Sequence, residues 1–455
     1  MKAFYANIVS MKEQKHTAAH ASCNQIKISD LPAHLDHEVS IKGFVQSVRA
    51  QGKVGFITLR NITGMVQCVF LGEALIGELK KISTESYVSV TGKLVAAKQA
   101  PGGVEIQVSK MEIVSAAAPE LAIPVVTIKG GEETEAPVRF DYRWIDLRKP
   151  EKAQIFKVWT SFEKGLRKYW NDNDFIQIYS PSFMSTPSET GAEVFEVKYF
   201  DKKAYLAQSP QFYKQMAMAS GFGKVFIAGP VFRAEESFTT RHLTEFTGFD
   251  FEISDINDHH DLMDAEEGML VAAFTQLHED ALAKFPDIKI EIPSRPFPRI
   301  SMIEAKKILA AEKIQSGEEH DLSPEEERAI SEYVKKTHNH DFVFITDYHK
   351  SKSAFYHMRH PNDNDRSRRA DLIYRGIEVT TLAQREHRID ILEKQAREKG
   401  MNLESLHDYL NFFRYGVPAH GGAGIGPGRL IMKILDLPNV REATYLPRDV
   451  KRLNP

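Results

Sequence analysis

The sequence predicts an α+β protein in two parts, a small closed β-barrel followed by a larger domain of antiparallel strands flanked by helices. Three observations carry this prediction. Residues 38–108 break into strand-like segments of alternating apolar and polar character, separated by turn residues. Lys152–Asn171 places Ile155, Val158, Trp159, Phe162, Leu166 and Trp170 at helical spacing, so a long amphipathic helix is expected there. Beyond it, clustered hairpins alternate irregularly with helices, unlike the regular strand–helix succession of a doubly wound parallel sheet.

In chain order, residues 1–23 read as a polar extension. They lack the apolar core and cleavage site of a secretory signal. Strands are expected over Val39–Val48, Gly55–Arg60 and Met65–Phe70, with Gln51-Gly52 and Ile62-Thr63-Gly64 as turns. A short helix over Glu73–Ile82 and strands over Tyr87–Val95 and Val104–Val108 complete a module spanning 24–118. Five strands with one intervening helix in about a hundred residues fit a barrel of the OB type. The acidic, Gly- and Pro-punctuated stretch from Ala116 to Pro137 marks a connector over 119–150. Residues 151–455 form the larger domain, and no repeat of fixed period is visible.

Composition limits the partners. A length of 455 residues allows two or three domains, and a net charge of −3 means that any nucleic-acid surface is local. The 24–118 module carries ten Lys/Arg against eight Asp/Glu, so it is no polybasic binder. Single-stranded RNA is read largely by stacking and base edges, so this balance does not exclude it. Cys23 and Cys68 are the only cysteines, which excludes a disulfide framework or a cysteine-rich zinc site and suggests free thiols in a cytoplasmic protein. No apolar run approaches the roughly 20 residues of a membrane helix. The clusters His259-His260 and His338/His340 repeat no ligand spacing and read as solvated loop histidines.

Two segments carry chemistry. Phe232–Glu252 begins and ends as strands, yet holds Arg233, Glu235, Glu236, Arg241, His242 and Glu245, which a plain hairpin does not need. Period-two alternation can bring Arg233 and Phe246 to one face, where a guanidinium fork and an aromatic plane cradle a nucleoside triphosphate. Ala419–Leu430 is dense in glycine and ends in Arg429. It lacks Gly-Lys-Ser/Thr, so it is no P-loop, and it does not carry a strand-led dinucleotide fingerprint.

The Phe232–Glu252 segment resembles motif 2 of the class II aminoacyl-tRNA synthetases, in the form used by their aspartyl branch. Gly422–Arg429 resembles motif 3, and Phe175–Pro181 resembles motif 1, which builds the dimer interface in that family. Thr186–Phe195 and Tyr205–Met216 resemble the substrate loop and amino-acid pocket, and Arg375–Arg385 resembles the segment holding a metal-binding glutamate and a substrate arginine. The resemblance runs from about Ile28 to Pro455. Without a large insertion between motifs 2 and 3, it is similar to the archaeal/eukaryotic form.

The resemblance implies an OB barrel, a hinge and a class II catalytic domain on an antiparallel sheet, acting as a homodimer on L-aspartate, ATP with Mg2+, and tRNA(Asp), with tRNA(Asn) as a second candidate. Arg233 and Arg429 are implied as catalytic. Ala234, Glu235, Arg241, His242, Leu243, Phe246, Glu378, Gly426, Pro427 and Gly428 join them around ATP, with Glu378 and Thr381 on the metal. Glu189, Gln211, Lys214, Thr381 and Arg385 are implied to hold aspartate, Lys214 distinguishing it from asparagine. Arg49, Phe56 and Gln67 are implied on the anticodon. Two positions depart from the family: Leu382 stands where glycine is usual and Gly428 where glutamate is usual. Leu382 is expected to narrow the pocket or shift its strand. The competing readings are an asparaginyl enzyme and a non-charging paralogue that binds tRNA or senses amino acid.

Overall fold

The computed structural model describes residues 26–126, 131–188, 193–236, 238–314 and 317–455, so the extension at 1–23 and Glu189 lie outside the described residues. Two compact units divide the chain: Met1–Arg139 with Arg148–Pro150, and Phe140–Leu147 with Glu151–Pro455.

The first unit is a closed barrel in the order β1-β2-β3-β5-β4. Its strands are β1 (Glu38–Gln51), β2 (Val54–Asn61), β3 (Gly64–Leu71), β4 (Tyr87–Ala96) and β5 (Val104–Ser115), with helix α1 (Glu73–Leu79) between β3 and β4. Val39, Ile41 and Val45 alternate inward from β1 to meet Ile57, Leu59, Val88 and Ile106, which fixes the register of each strand. Cys68 is buried in this core, and burial pushes its thiol well above the ordinary range. Helix α1 stops before Ile82. Lys81 and Ile82 turn back on Glu78 and Leu79 through their backbone N–H groups, and Ile82 drops into the barrel core.

Two helices, α2 (Ala136–Asp141), which begins in the first unit and ends in the second, and α3 (Arg143–Asp146) in the second unit, arise inside the stretch read as a connector. Arg143 is fully buried there, donating to Asp146 Oδ2 at 2.7 Å and to the Glu442 carbonyl at 2.7 Å. Next come α4 (Pro150–Asp172), β6 (Ile176–Gln177), β7 (Phe183–Met184), β8 (Glu196–Tyr199), β9 (Lys202–Leu206), α5 (Gln211–Ala219), β10 (Lys224–Phe232) and β11 (Glu245–Ser254). They are followed by α6 (His259–Lys284), β12 (Arg299–Ser301), α7 (Met302–Ala311), α8 (Pro324–His338), β13 (Phe342–Thr346), β14 (Arg359–His360) and β15 (Asp363–Ser367). The chain ends through β16 (Arg369–Tyr374), β17 (Ile377–Gln384), α9 (Ile389–Glu398), α10 (His407–Phe413), β18 (His420–Ile425) and α11 (Pro427–Ile434).

Eight strands form the main sheet in the order β12-β13-β16-β17-β18-β11-β10-β6. Its centre is antiparallel, and only the two edge pairs, β12/β13 and β6/β10, run parallel. The apolar face of α4 buries Val158, Phe162, Leu166 and Trp170, and Trp170 stacks on Phe226 at 4.2 Å between centroids. Gly165 lets α4 approach α6 closely, since a Cβ there would lie 2.6 Å from Ala273 Cα. This core leaves the opposite face of β11, β17 and β18 open for a site.

The structure corrects the reading of two histidines. His340 is buried, its Nε2–H donating to the Ser294 carbonyl and its Nδ1 accepting from the Phe342 N–H, and His259 is buried at the start of α6. Among the described residues no helix is long and apolar enough to cross a membrane.

Candidate active site

The β10–β11 hairpin pairs Val231 with Phe246 and Phe232 with Glu245, and the Arg233 N–H donates to the Thr244 carbonyl at 2.9 Å. This register carries the Arg233 guanidinium to 5.6 Å from the centroid of the Phe246 ring. The two residues border a cleft of about 1130 Å³, lined also by Glu235, Arg241, His242 and Leu243 from the hairpin. Gln211 and Lys214 from α5, Glu378, Thr381 and Arg385 from β17 and its end, and Gly426, Gly428 and Arg429 around the start of α11 complete that lining. Ala234 and Pro427 do not line the cleft. Ala234 is tied by its N–H to the Glu193 carbonyl, and Pro427 is the first residue of α11.

One end of the cleft is a buried charge cluster. Asp250 and Glu252, two apart on β11, face the same way. Lys214 donates to Asp250 Oδ2 at 2.7 Å and to the Ala423 carbonyl at 2.9 Å, and its Nζ lies 3.5 Å from Glu252 Oε2. Arg385 grips Glu252 through Nε at 2.9 Å and Nη2 at 3.4 Å, and donates from Nη2 to the Gly422 carbonyl. Its Nη1 has no hydrogen-bond partner among the described residues and is available to an incoming acceptor. Burial works to raise the Glu252 carboxyl, but Arg385 and Lys214 outweigh it and hold the group below its ordinary range. Glu252 therefore stays ionised against Arg385 and Lys214. His420 sits behind it. Its Nδ1–H donates to the Pro418 carbonyl, Nε2 accepts from Gln215, and burial lowers its pKa to about 4, so the ring is neutral.

The other end gathers Glu378, Thr381 and the arginines. The Thr381 hydroxyl donates to Glu378 Oε1 at 3.1 Å, and Arg429 donates to the Glu378 carbonyl at 2.9 Å. Burial opposes ionisation of Glu378, but Arg429 and Arg369 more than offset it, and the carboxyl is held low. Asp371 lies directly across the strands from Thr381 and is gripped by Arg369 at 3.0 and 2.6 Å. Burial pushes Asp371 up to about 6 against the pull of Arg369. Arg241 is held by both oxygens of Glu327 on α8, at 2.9 and 2.7 Å. His242 is lowered by burial and then by Arg429, so it is neutral near pH 7.

Sequence reasoning missed Asp250, Glu252, Glu327, Asp371 and His420. For the first two a signal existed. Phe249-Asp-Phe-Glu-Ile253 alternates carboxylates with large apolar residues, and carboxylates on a buried strand require cations. Nothing in Pro324-Glu-Glu-Glu-Arg328 marks Glu327 apart from its neighbours.

The expectation that Leu382 narrows the pocket is corrected. Its side chain is fully buried in the core on the far face, and Leu382 itself pairs with Ala370 and Ala423, while the one register shift between β16 and β17 falls at Val379. Gly428 is closely packed: a Cβ there would lie 3.2 Å from Val440 Cγ2, so a longer side chain requires Val440 to give way. Gly421 and Gly422 are glycines because their neighbours crowd them. A Cβ on Gly422 would stand 2.0 Å from the Phe251 carbonyl and 2.3 Å from Glu252 Oε2, and one on Gly421 2.6 Å from the Ala383 carbonyl.

In the barrel, Arg49 and Phe56 face each other across β1 and β2. Phe56 is half-buried on the outer face and is not part of the core. Gln67 lies opposite Thr58 and donates to Glu105 at 2.9 Å, a partner that sequence reasoning did not supply.

An antiparallel sheet with an arginine–phenylalanine hairpin and a glycine-rich strand running into an arginine-bearing helix, together with a separate OB-type barrel, defines an aminoacyl-tRNA synthetase architecture. The chain belongs to the tRNA synthetases class II (D, K and N), which it matches over residues 135–450, and residues 39–114 match the OB-fold nucleic acid binding domain. Within that family it is 39% identical over 429 residues to an aspartate–tRNA(Asp/Asn) ligase of Aeropyrum pernix, covering 92% of this chain and 95% of that one. It is also 39% identical over 427 residues to an aspartate–tRNA(Asp) ligase of Thermococcus kodakarensis, covering 92% and 96%. The crystal structure of asparaginyl-tRNA synthetase from Pyrococcus horikoshii with asparaginyl-adenylate superposes with a TM-score of 0.88 at 31% identity, covering 95% of this chain and all of that one.

Proposed function

We propose that this enzyme activates L-aspartate with ATP and transfers the aspartyl group to the 3′ end of tRNA(Asp). The observation that carries the reading is Lys214 and Arg385 converging on one buried floor, with Arg385 Nη1 uncommitted. A second carboxylate on the substrate finds charge partners there. An amide brings no charge to them; with Lys214 already on Asp250 and Arg385 already on Glu252, the choice rests on the substrate carboxylate reaching Lys214 Nζ and Arg385 Nη1.

The α-carboxylate oxygen of aspartate forms a bond to the α-phosphorus of ATP as the bond to pyrophosphate breaks, and positioning and charge stabilisation carry the catalysis. Arg233 bridges the attacking carboxylate and the α-phosphate. Arg241 and His242 take the distal phosphates, Arg241 exchanging Glu327 for them. Phe246 and Arg429 sandwich adenine and Glu235 fixes its amino edge, while Ala234, Leu243, Gly426, Pro427 and Gly428 shape the surrounding backbone. Gln211, Thr381 and Glu189 complete the amino-acid site. The oxygen donors of Glu378 and Thr381, 3.1 Å apart, suit Mg2+, which would neutralise phosphate charge. On the barrel, Arg49, Phe56 and Gln67 form the anticodon face. A tRNA partner supports a cytoplasmic enzyme. Exposed apolar side chains at Ile176, Tyr179 and Phe183, Tyr179 81% exposed, support a homodimer through motif 1.

Relatives of equal identity are named for tRNA(Asp) alone and for tRNA(Asp/Asn), so charging of both tRNAs belongs in the test. With Leu382 in the core, the non-charging paralogue loses one of its two supports. ATP–pyrophosphate exchange is expected with aspartate and nearly absent with asparagine. Equal rates with the two amino acids would overturn the assignment.

A further inference from the structure

Away from the cleft, three elements of the catalytic unit converge on a cluster of nitrogen and oxygen donors. His259 opens α6, Asp347 follows β13, and His360 ends β14. His360 Nε2 lies 2.8 Å and His259 Nε2 3.5 Å from Asp347 Oδ1, and the three donor atoms all fall within 4.8 Å of one another. His259 is only 3% exposed, yet neither of its ring nitrogens has a hydrogen-bond partner among the described residues. An imidazole buried in this way, with Nδ1 unpartnered and Nε2 no nearer than 3.5 Å to the Asp347 carboxylate, is costly and calls for a ligand. Asp347 holds a left-handed backbone (φ 63°), and Thr346 donates to its second oxygen at 2.7 Å, which fixes the carboxylate beneath the two rings. The side chains of Asp347 and His360 are each 27% exposed, so an ion can enter from solvent.

We propose that His259, Asp347 and His360 form a binding site for one divalent transition-metal ion of the zinc class. Two imidazole nitrogens and one carboxylate oxygen suit Zn2+, whereas Mg2+ prefers oxygen and water. Bond lengths of about 2.0–2.1 Å at tetrahedral angles place donor atoms about 3.4 Å apart. The observed spacing closes onto an ion with small side-chain movements, leaving a fourth position to water. His260 is not a ligand, because its Nδ1 is engaged by Arg299 at 3.1 Å, and Asp258 is occupied in capping α6 through the His260 N–H. The start of α6 opposes a cation, and the carboxylates of Asp258, Asp261 and Asp347 offset this. The bound ion would tie the helix start, the end of β13 and the β14–β15 hairpin together.

The test uses the full-length untagged protein, stripped with chelator and titrated with Zn2+ in excess Mg2+, with Co2+ absorption reporting the ligand field. The expected result is one Zn2+ per chain, a raised melting temperature, and affinity weakened more than about tenfold in His360→Ala and Asp347→Asn. ATP–pyrophosphate exchange by these variants is expected to stay at the wild-type rate. If His259→Gln fails to fold, His360→Ala, at a partly exposed position, decides. No stoichiometric uptake by the folded protein, or equal affinity in His360→Ala, would overturn the proposal.

Discussion

Replacing Lys214 by methionine keeps an unbranched stem in the pocket and removes the one ammonium between two buried carboxylates. It lies 2.7 Å from Asp250 and 3.5 Å from Glu252, and is itself 1% exposed. Breaking a buried pair from one side costs about 3–5 kcal/mol, because the remaining charge has no water to turn to. Since about 1.36 kcal/mol is tenfold in rate, a substrate carboxylate that relies on the same ammonium should lose roughly two to four orders of magnitude in kcat/KM for aspartate. Stability must be separated from recognition. Adding Asp250→Asn to Lys214→Met replaces the stranded anion with an amide, so much of the lost melting temperature should return. Aspartate use should not return with it, since the ammonium is still missing. Thermal unfolding and ATP–pyrophosphate exchange, with aspartate varied at saturating ATP, read the two effects independently. A folded double variant with the wild-type KM for aspartate would refute the reasoning.

Leu382→Ala should cost about 2–5 kcal/mol of stability by opening a cavity in the main core, and should leave the KM for aspartate unchanged at temperatures where the variant is folded. A changed KM with unchanged stability would put the side chain in the pocket after all. Gln67→Ala should slow charging at subsaturating tRNA and leave tRNA-independent exchange intact; wild-type charging would remove Gln67 from the anticodon face. Glu266 is buried beneath the sheet, and burial pushes its carboxyl up to about 8 from 4.5. The folded state therefore binds this proton more tightly than the unfolded state. The resulting stability is complete below pH 4.5 and is lost as pH rises through about 8. Glu266→Gln should flatten the melting-temperature profile across that window, and an unchanged slope would assign it to other groups.

The barrel is legible in the sequence because each strand has one wet and one dry face, and Val39, Ile41 and Val45 announce the alternation directly. The Arg233–Phe246 pairing is legible for the same reason. Glu327 is not, because its importance comes from Arg241, a partner 86 residues distant whose contact depends on tertiary packing, and Asp371 is not, because its place at the site comes from pairing across the sheet with Thr381. Leu382 was misjudged since a family pattern records which residue is usual without recording which face of the strand it occupies. His259 was misread for a related cause. Two adjacent histidines look solvated until the helix beginning there is seen to bury one of them beside Asp347.

The crowding at Gly422 ties two properties together. The space its missing side chain leaves is the space Glu252 occupies, and Glu252 in turn orients Arg385. A substitution at this single backbone position must push apart neighbouring strands and swing the arginine that would select the amino acid. Selection for a folded sheet and selection for the right substrate therefore act on the same atom.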